Sequence, residues 1–249
     1  MQQYFIKNSV RVFERICLCE EQAHHIANVM RMKKGEKIRI VDANQELFMA
    51  HVQFEGKQVY AYIDEKIVDK SSSKIDIVLA QGLLKKEKWD FLLQKSAELG
   101  VNEIIPFISS RSVVKNKEER QDKKLVRWNK ILLEACEQSK RTSLVKLHEP
   151  CHIKQLKEID ADVKLVAYEE ADVISQRMVD VLRKHQRAKR IVVAIGCEGG
   201  FSLEEVEMLE QYGFIRVSLG NRILRAETAA ISSIANLSFY YDMMKEEDE

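Results

Sequence analysis

The sequence predicts an α/β protein with a C-terminal parallel sheet covered by helices and a small N-terminal β-rich unit. Three observations carry this. From residue 75 onward, short apolar runs alternate with segments of helical length. Those runs are unbroken and rich in β-branched residues, as in Ile191-Val192-Val193-Ala194-Ile195, which suits strands buried on both faces. Residues 1–70 differ, offering alternating strand patterns closed by polar turns. The expected domains are therefore 1–70 and 75–249.

The first unit offers a short helix over Glu20–Arg31 and strands at Lys37–Asp42, Glu46–Phe54 and Lys57–Asp64. Asp42 to Gln45 and Glu55-Gly56-Lys57 read as the turns between them. His24 and His25 are adjacent, so they do not share a helix face as paired metal ligands would, and they read as cap or packing residues. Ser71 to Lys74 is a short polar linker. A strand at Ile75–Ala80 opens the second unit, followed by a helix over Lys85–Leu99 that Gly100 stops. Ile104–Ile108 is the next strand. A long helix, Asp122 to Ser139, carries Trp128, Ile131, Leu132 and Ala135 at core spacing. Lys164–Tyr168 reads as a strand and Val173–His185 as a helix.

The stretch from Arg190 to Tyr240 holds two strand-loop-helix units. The strand ending at Ile195 runs into Gly196-Cys197-Glu198-Gly199-Gly200. Ser202 with Glu205 forms a capping box, and Gly213 ends that helix. Phe214–Leu219 is the second strand, followed by Gly220-Asn221-Arg222 and a small-residue helix from Ala226. Two such loops at the C-terminal ends of neighbouring strands form a crevice, where open α/β sheets bind ligands. The glycine spacing fits neither the dinucleotide fingerprint nor the nucleotide triphosphatase loop. Glu198 beside the glycines would repel a phosphate, so a ligand held by backbone groups fits better.

Composition narrows the classes further. The 249 residues carry a net charge of +1, so overall charge is uninformative about nucleic acid. Distribution says more: Ser110 to Arg141 holds 10 Lys/Arg against 5 Asp/Glu, while Glu198 to Gly213 holds 5 Glu and no Lys or Arg. The basic segment is a candidate phosphate-binding face, as are Arg31, Lys33, Lys34 and Lys37 at a turn of the first unit. Five cysteines without a C-x-x-C pair argue against a disulfide framework or a zinc site and for a reducing cytoplasm. No signal segment and no membrane-length apolar run is expected, and no metal. The acidic tail Lys245–Glu249 reads as frayed.

I-G-C-E-G-G-F-S (195–202) and L-G-N-R-I-L-R-A-E-T-A (219–229) resemble the two signature loops of the ribosomal RNA small-subunit methyltransferase E family. So do Q-K-S-A-E-L-G-V (94–101), R-S-V-V-K (111–115), E-A-C-E-Q-S-K-R (134–141) and H-H-I-A-N-V-M-R-M (24–32) resemble its other motifs, so the resemblance spans most of the chain. The family pattern usually has proline where this chain has Cys197, and often where it has Asn221. Proline stiffens a loop by fixing φ.

The resemblance implies a SPOUT-type domain with a trefoil knot and an N-terminal PUA-like β-barrel that docks RNA. It implies transfer of a methyl from S-adenosylmethionine to uridine N3 in small-subunit ribosomal RNA, by a homodimer. Ala167, Tyr168, Gly196, Gly199, Gly200, Leu219, Gly220, Ile223 and Leu224 would hold the donor, with Ile223 and Leu224 as apolar walls. Arg225 would stabilise negative charge on the uracil, with pairing to Glu227 or Glu198 as its bland role. Glu198 would accept a proton or, blandly, backbone N–H bonds. Arg31, Lys33, Lys34, Arg111, Arg141 and Arg222 would contact RNA. The C-terminal helix Ala229–Met244 would supply part of a dimer interface. Two alternatives stay open: a SPOUT enzyme with another RNA target, and an RNA-binding assembly factor without catalysis.

Overall fold

The computed structural model describes residues 1–69, 73–112, 121–168 and 175–244. Ser71 and Ser72 of the expected linker, the Val113–Lys115 part of the R-S-V-V-K motif, Val173 at the start of the fourth expected helix, and the acidic tail lie outside them. The chain divides into two compact units, one of 1–72 with 136–143 and one of 73–135 with 144–249.

The first unit contains β1 (Gln3–Phe5), β2 (Arg15–Cys17), α1 (Glu20–His24), β3 (Lys37–Val41), β4 (Leu47–Glu55) and β5 (Gln58–Ile67). The strands form one sheet in the order β1-β3-β4-β5-β2, in which β1 is parallel to β3 and the other ladders are antiparallel. Residues 48–52 of β4 and 59–63 of β5 alternate between buried and half-exposed, so one face packs on a core that includes Ile26, Ile38, Ile40 and Ile63. The strand pattern foretold β3, β4 and β5. It missed β1 and β2, which are only three residues long. The expected helix from Glu20 to Arg31 is instead an α-turn continued as a π-helix over His25–Val29, closed at Arg31 with φ 52. His25 packs as expected: its Nδ1 lies 2.9 Å from the Tyr4 hydroxyl.

Residues 136–143 belong to this unit, a correction to the expected 75–249 boundary. Hydrogen bonds place them there. The Phe5 N–H donates to Glu137 Oε1 at 3.2 Å, and Gln3 Nε2 donates to the Arg141 carbonyl at 2.5 Å.

The second unit is built on β6 (Asp76–Gly82), β7 (Glu103–Ile108), β8 (Lys146–Leu147), β9 (Cys151–His152), β10 (Val163–Ala167), β11 (Gln176–Arg177), β12 (Arg190–Ile195) and β13 (Phe214–Ser218). Its order is β11-β13-β10-β12-β6-β7-β8, with β9 also on β7, and every ladder is parallel. Ile77, Val78, Leu79 and Ala80 are fully buried, as are Ile191 to Ala194, as unbroken apolar strands require when helices cover both faces. The helices are α2 (Lys86–Glu98), α3 (Gln121–Gln138), α4 (Met178–Lys184), α5 (Leu203–Gln211) and α6 (Ala226–Ser238). Gly100 and Gly213, both at φ near 90°, end α2 and α5. Trp89 of α2 and Trp128 of α3 pack with ring centroids 5.2 Å apart. α4 is shorter than expected because Gln176 and Arg177 pair with β13 before it begins.

The two glycine loops follow β12 and β13. These strands are not the neighbours that the sequence led us to expect, because β10 lies between them and pairs with both. Three strand ends therefore converge: Ile195, Ala167 and Ser218.

Candidate functional site

At those strand ends lies a cavity of about 310 Å³. Its lining comes from the ends of β10 and β12, both loops and the start of α6. Of the residues expected to hold the donor, Ala167, Tyr168, Gly196, Gly199, Gly200, Leu219, Ile223 and Leu224 line it. Gly220 does not, but its φ of 126 fixes the turn of the second loop. Ile223 is no packed wall: it stands 87% exposed at the mouth. Arg225 and Glu198 line the cavity too.

The first loop is held by tight backbone approach. A Cβ on Gly196 would come within 2.8 Å of the Gly200 carbonyl carbon, and one on Gly82 within 2.5 Å of the Cys197 nitrogen. Only glycine fits either place. Gln81, fully buried at the end of an apolar strand, donates from Nε2 to the Gly196 and Gly82 carbonyls, each at 3.0 Å. Cys197 is 3% exposed, with its thiol 3.6 Å from the Ser109 hydroxyl and 3.8 Å from the Gly200 carbonyl. A thiol buried in this way is a brace, not an open nucleophile.

Glu198 makes the backbone contact that the sequence offered as one of its two roles. Its Oε1 accepts the Lys85 N–H at 3.0 Å, just ahead of α2, and its Oε2 is buried without a hydrogen-bond partner. That is the surrounding of a loop-shaping acceptor, not of a base open to a substrate proton. Arg225 is the reverse: its guanidinium is exposed and takes no ion-pair partner among the described residues. The bland alternative, pairing with Glu227, is not seen among the described residues, where Glu227 lies 3.5 Å from Lys88 Nζ.

Sequence reasoning missed two contributors. Glu205, 8% exposed, completes the capping box with the Ser202 N–H at 3.0 Å, but it also accepts the Ser110 N–H at 2.7 Å. The capping box was legible; the partner 95 residues away was not. Arg111, assigned to RNA, lines the cavity and donates from Nη1 to the Gly199 carbonyl at 3.2 Å.

The remaining basic candidates separate. Arg31, Lys33 and Lys34 are exposed around the turn before β3. Arg222 is exposed on the second loop. Arg141 is 8% exposed, and burial lowers its guanidinium from the ordinary arginine value. An arginine turned inward this way is not a phosphate contact, which corrects that assignment.

Similarity to known proteins agrees with this geometry. The family model described as the RNA methyltransferase domain matches residues 71–238, and the RNA methyltransferase PUA domain matches residues 18–61. The ribosomal RNA small subunit methyltransferase E of Bacillus subtilis is 31% identical, with 98% of this chain and 99% of that protein covered. The namesake enzyme of Buchnera aphidicola subsp. Schizaphis graminum is 32% identical, with 95% of each covered. The Neisseria gonorrhoeae enzyme of that name, solved bound to S-adenosyl methionine, superposes with a TM-score of 0.88 at 29% identity, covering 98% of this chain and 99% of that one. A Legionella pneumophila methyltransferase solved with its cofactor SAM gives 0.85 at 32% identity, covering 94% and 96%. By fold, by the two loops and by relatedness along nearly its full length, this chain belongs to the ribosomal RNA small subunit methyltransferase E family.

Proposed function

We propose that this chain transfers a methyl group from S-adenosylmethionine to N3 of a uridine in small-subunit ribosomal RNA, in the cytoplasm and as a homodimer. The observation that carries the proposal is the cavity where β10, β12 and β13 end, walled by both signature loops. The residues fit the donor. The cavity is of ligand size, its glycine loop offers backbone N–H and C=O groups, and open space lies where a Gly200 Cβ would stand. Two relatives bind the same donor.

When bound, S-adenosylmethionine supplies a methyl on a sulfonium, which needs little activation beyond alignment. The chain's own residues do the rest. Gly196, Gly199, Gly200 and Leu219 bind through backbone at close range. Tyr168, 5% exposed, and Ala167 form the floor. Uracil N3 becomes nucleophilic as its proton is lost, and Arg225 at the cavity edge stabilises the charge that builds on the adjacent oxygen. With Glu198 engaged by the Lys85 N–H, the proton passes to water. The base reaches the cavity only when unstacked. Arg31, Lys33, Lys34, Arg111 and Arg222 contact the RNA.

Exposed Phe239, Met243 and Met244, in the last described helical turns, support the homodimer. The trefoil knot of the SPOUT fold belongs to the same proposal. The assembly-factor alternative rested on the absent prolines, and Cys197 gives it no support, since its loop is braced by hydrogen bonds instead. The test is product analysis. RNA from small ribosomal subunits incubated with protein and donor should gain one N3-methyluridine, whereas ribose methylation, or no product, would overturn the proposal.

A further inference from the structure

We infer that the cavity mouth is a phosphate-binding rim, completed by Lys85 and Lys86, that grips the RNA backbone on either side of the target nucleotide. The inference rests on the proposed RNA substrate and adds two residues that lie outside both signature loops.

Sequence and fold disagree about the charge at this mouth. The stretch Glu198 to Gly213 holds five Glu and no Lys or Arg, so by sequence the first loop and its helix look repulsive to RNA. Folding removes the acids nearest the cavity. Glu198 Oε1 accepts the Lys85 N–H and its Oε2 is shut from solvent. Glu205 is buried and accepts from Ser110 and Ser202. Glu227, whose side chain is 13% exposed, faces Lys88.

Cations remain outside. Arg111 and Arg225 line the cavity, Arg222 adjoins Ile223 at its mouth, and Lys85 is tied to the Glu198 loop through its N–H. Lys86 follows. All five are exposed. Lys85, Lys86, Arg222 and Arg225 have no ion-pair partner among the described residues. The outward acids nearby are Glu87 and Glu204, and the Arg111 charge helps hold Glu204 below the usual carboxylate range, after hydrogen bonds from the Ser202 hydroxyl and its own backbone. Among the described residues the rim is thus cationic, with the carboxylates of Glu198, Glu205 and Glu227 engaged or buried.

The lysines are also placed against local preference. A cation at the start of a helix opposes the helix dipole, and here Lys85 precedes α2, Lys86 opens it and Lys88 completes its first turn. Lys88 has an internal partner in Glu227. Lys85 and Lys86 have none among the described residues, and a polyanion passing over the mouth would supply it. Such contacts position the strand without reading sequence.

The test is the salt dependence of binding of a fluorescein-labelled, uridine-containing single-stranded RNA of about 20 nucleotides, since each neutralised phosphate adds roughly 0.7 to the slope of log K against log salt. Lys85→Gln with Lys86→Gln should lower that slope by about 1.4 and weaken binding roughly tenfold near 0.1 M salt, while Lys85→Arg with Lys86→Arg restores both. Removing cations from a helix start relieves the dipole conflict, so the variant should melt no lower than wild type. A slope unchanged from wild type would overturn the rim. S-adenosylhomocysteine titrated into the same proteins separates this from the donor proposal. A lowered slope in a protein that binds no S-adenosylhomocysteine would leave the rim standing and the donor site refuted.

Discussion

Arg225 stands where the second loop becomes α6, exposed, lining the cavity and without an ion-pair partner among the described residues. A cation so placed costs nothing to reorganise when charge builds beside it. Arg225→Ala is expected to slow methyl transfer by about 10²–10³-fold, the loss typical of one electrostatic stabiliser, with S-adenosylhomocysteine affinity changed less than about threefold. Single-turnover kinetics beside calorimetry would read both. Glu205 makes the complementary case. It satisfies two N–H groups from distant segments, so Glu205→Ala should cost about 2–4 kcal/mol, measured by urea unfolding, because both donors lose their acceptor. How legible each residue was depends on the range of its partners. The Ser202–Glu205 box spans three residues and is written in the sequence. The Glu205–Ser110 bond, the Glu198–Lys85 bond and the burial of Arg141 depend on where distant strands bring the chain. Arg225, Gly196, Gly199 and Gly200, all carried by the motif resemblance, line the cavity and Gly220 does not, while the choice between the two roles of Glu198 turns on a partner the sequence does not show.

At the level of elements, β6 and β12 were legible because Ile77 to Ala80 and Ile191 to Ala194 are buried on both sides and need no polar residue. Three-residue β1 and β2 and two-residue β8, β9 and β11 carry no periodicity to detect, and each exists through its ladder partner. Strand order was equally hidden. Nothing local says that β10 separates β12 from β13. The opposite, N-terminal ends of the parallel strands show what order creates. Arg190 at the start of β12 pairs with Asp76 of β6 and, at 2.9 Å, with Glu103 of β7, which also receives His148 at 2.6 Å. Burial alone would raise the Glu103 carboxyl, but hydrogen bonds from His148 and Arg190 and the charges of Arg190 and Lys146 outweigh it and hold it below the usual range. A depressed carboxylate stabilises the fold above its unfolded value, about 4.3, and that contribution is lost as pH falls through the lower folded value. Stability followed by urea midpoint should therefore drop below about pH 4 in wild type, and this limb should be shallower in Glu103→Gln.

For the whole molecule, the basic turn of the first unit and the cavity of the second are expected to separate in function. Replacing Arg31, Lys33 and Lys34 with Gln should weaken RNA binding and lower its salt slope, by roughly 0.7 for each phosphate no longer neutralised, while S-adenosylhomocysteine affinity stays unchanged. Fluorescence anisotropy across a salt series, with calorimetry beside it, reads both. Overall charge near zero concealed this arrangement in the sequence, because acids and bases are sorted only on folding. The central claim is that the cavity at the ends of β10, β12 and β13 holds S-adenosylmethionine, and calorimetric titration of the intact protein with S-adenosylmethionine and S-adenosylhomocysteine tests it most directly. Saturable binding of one molecule per chain is predicted, weakened at least about tenfold by Gly220→Val, whose side chain the φ of 126 does not tolerate. No saturable heat from either compound, with small ribosomal subunits present as well as without them, would contradict it.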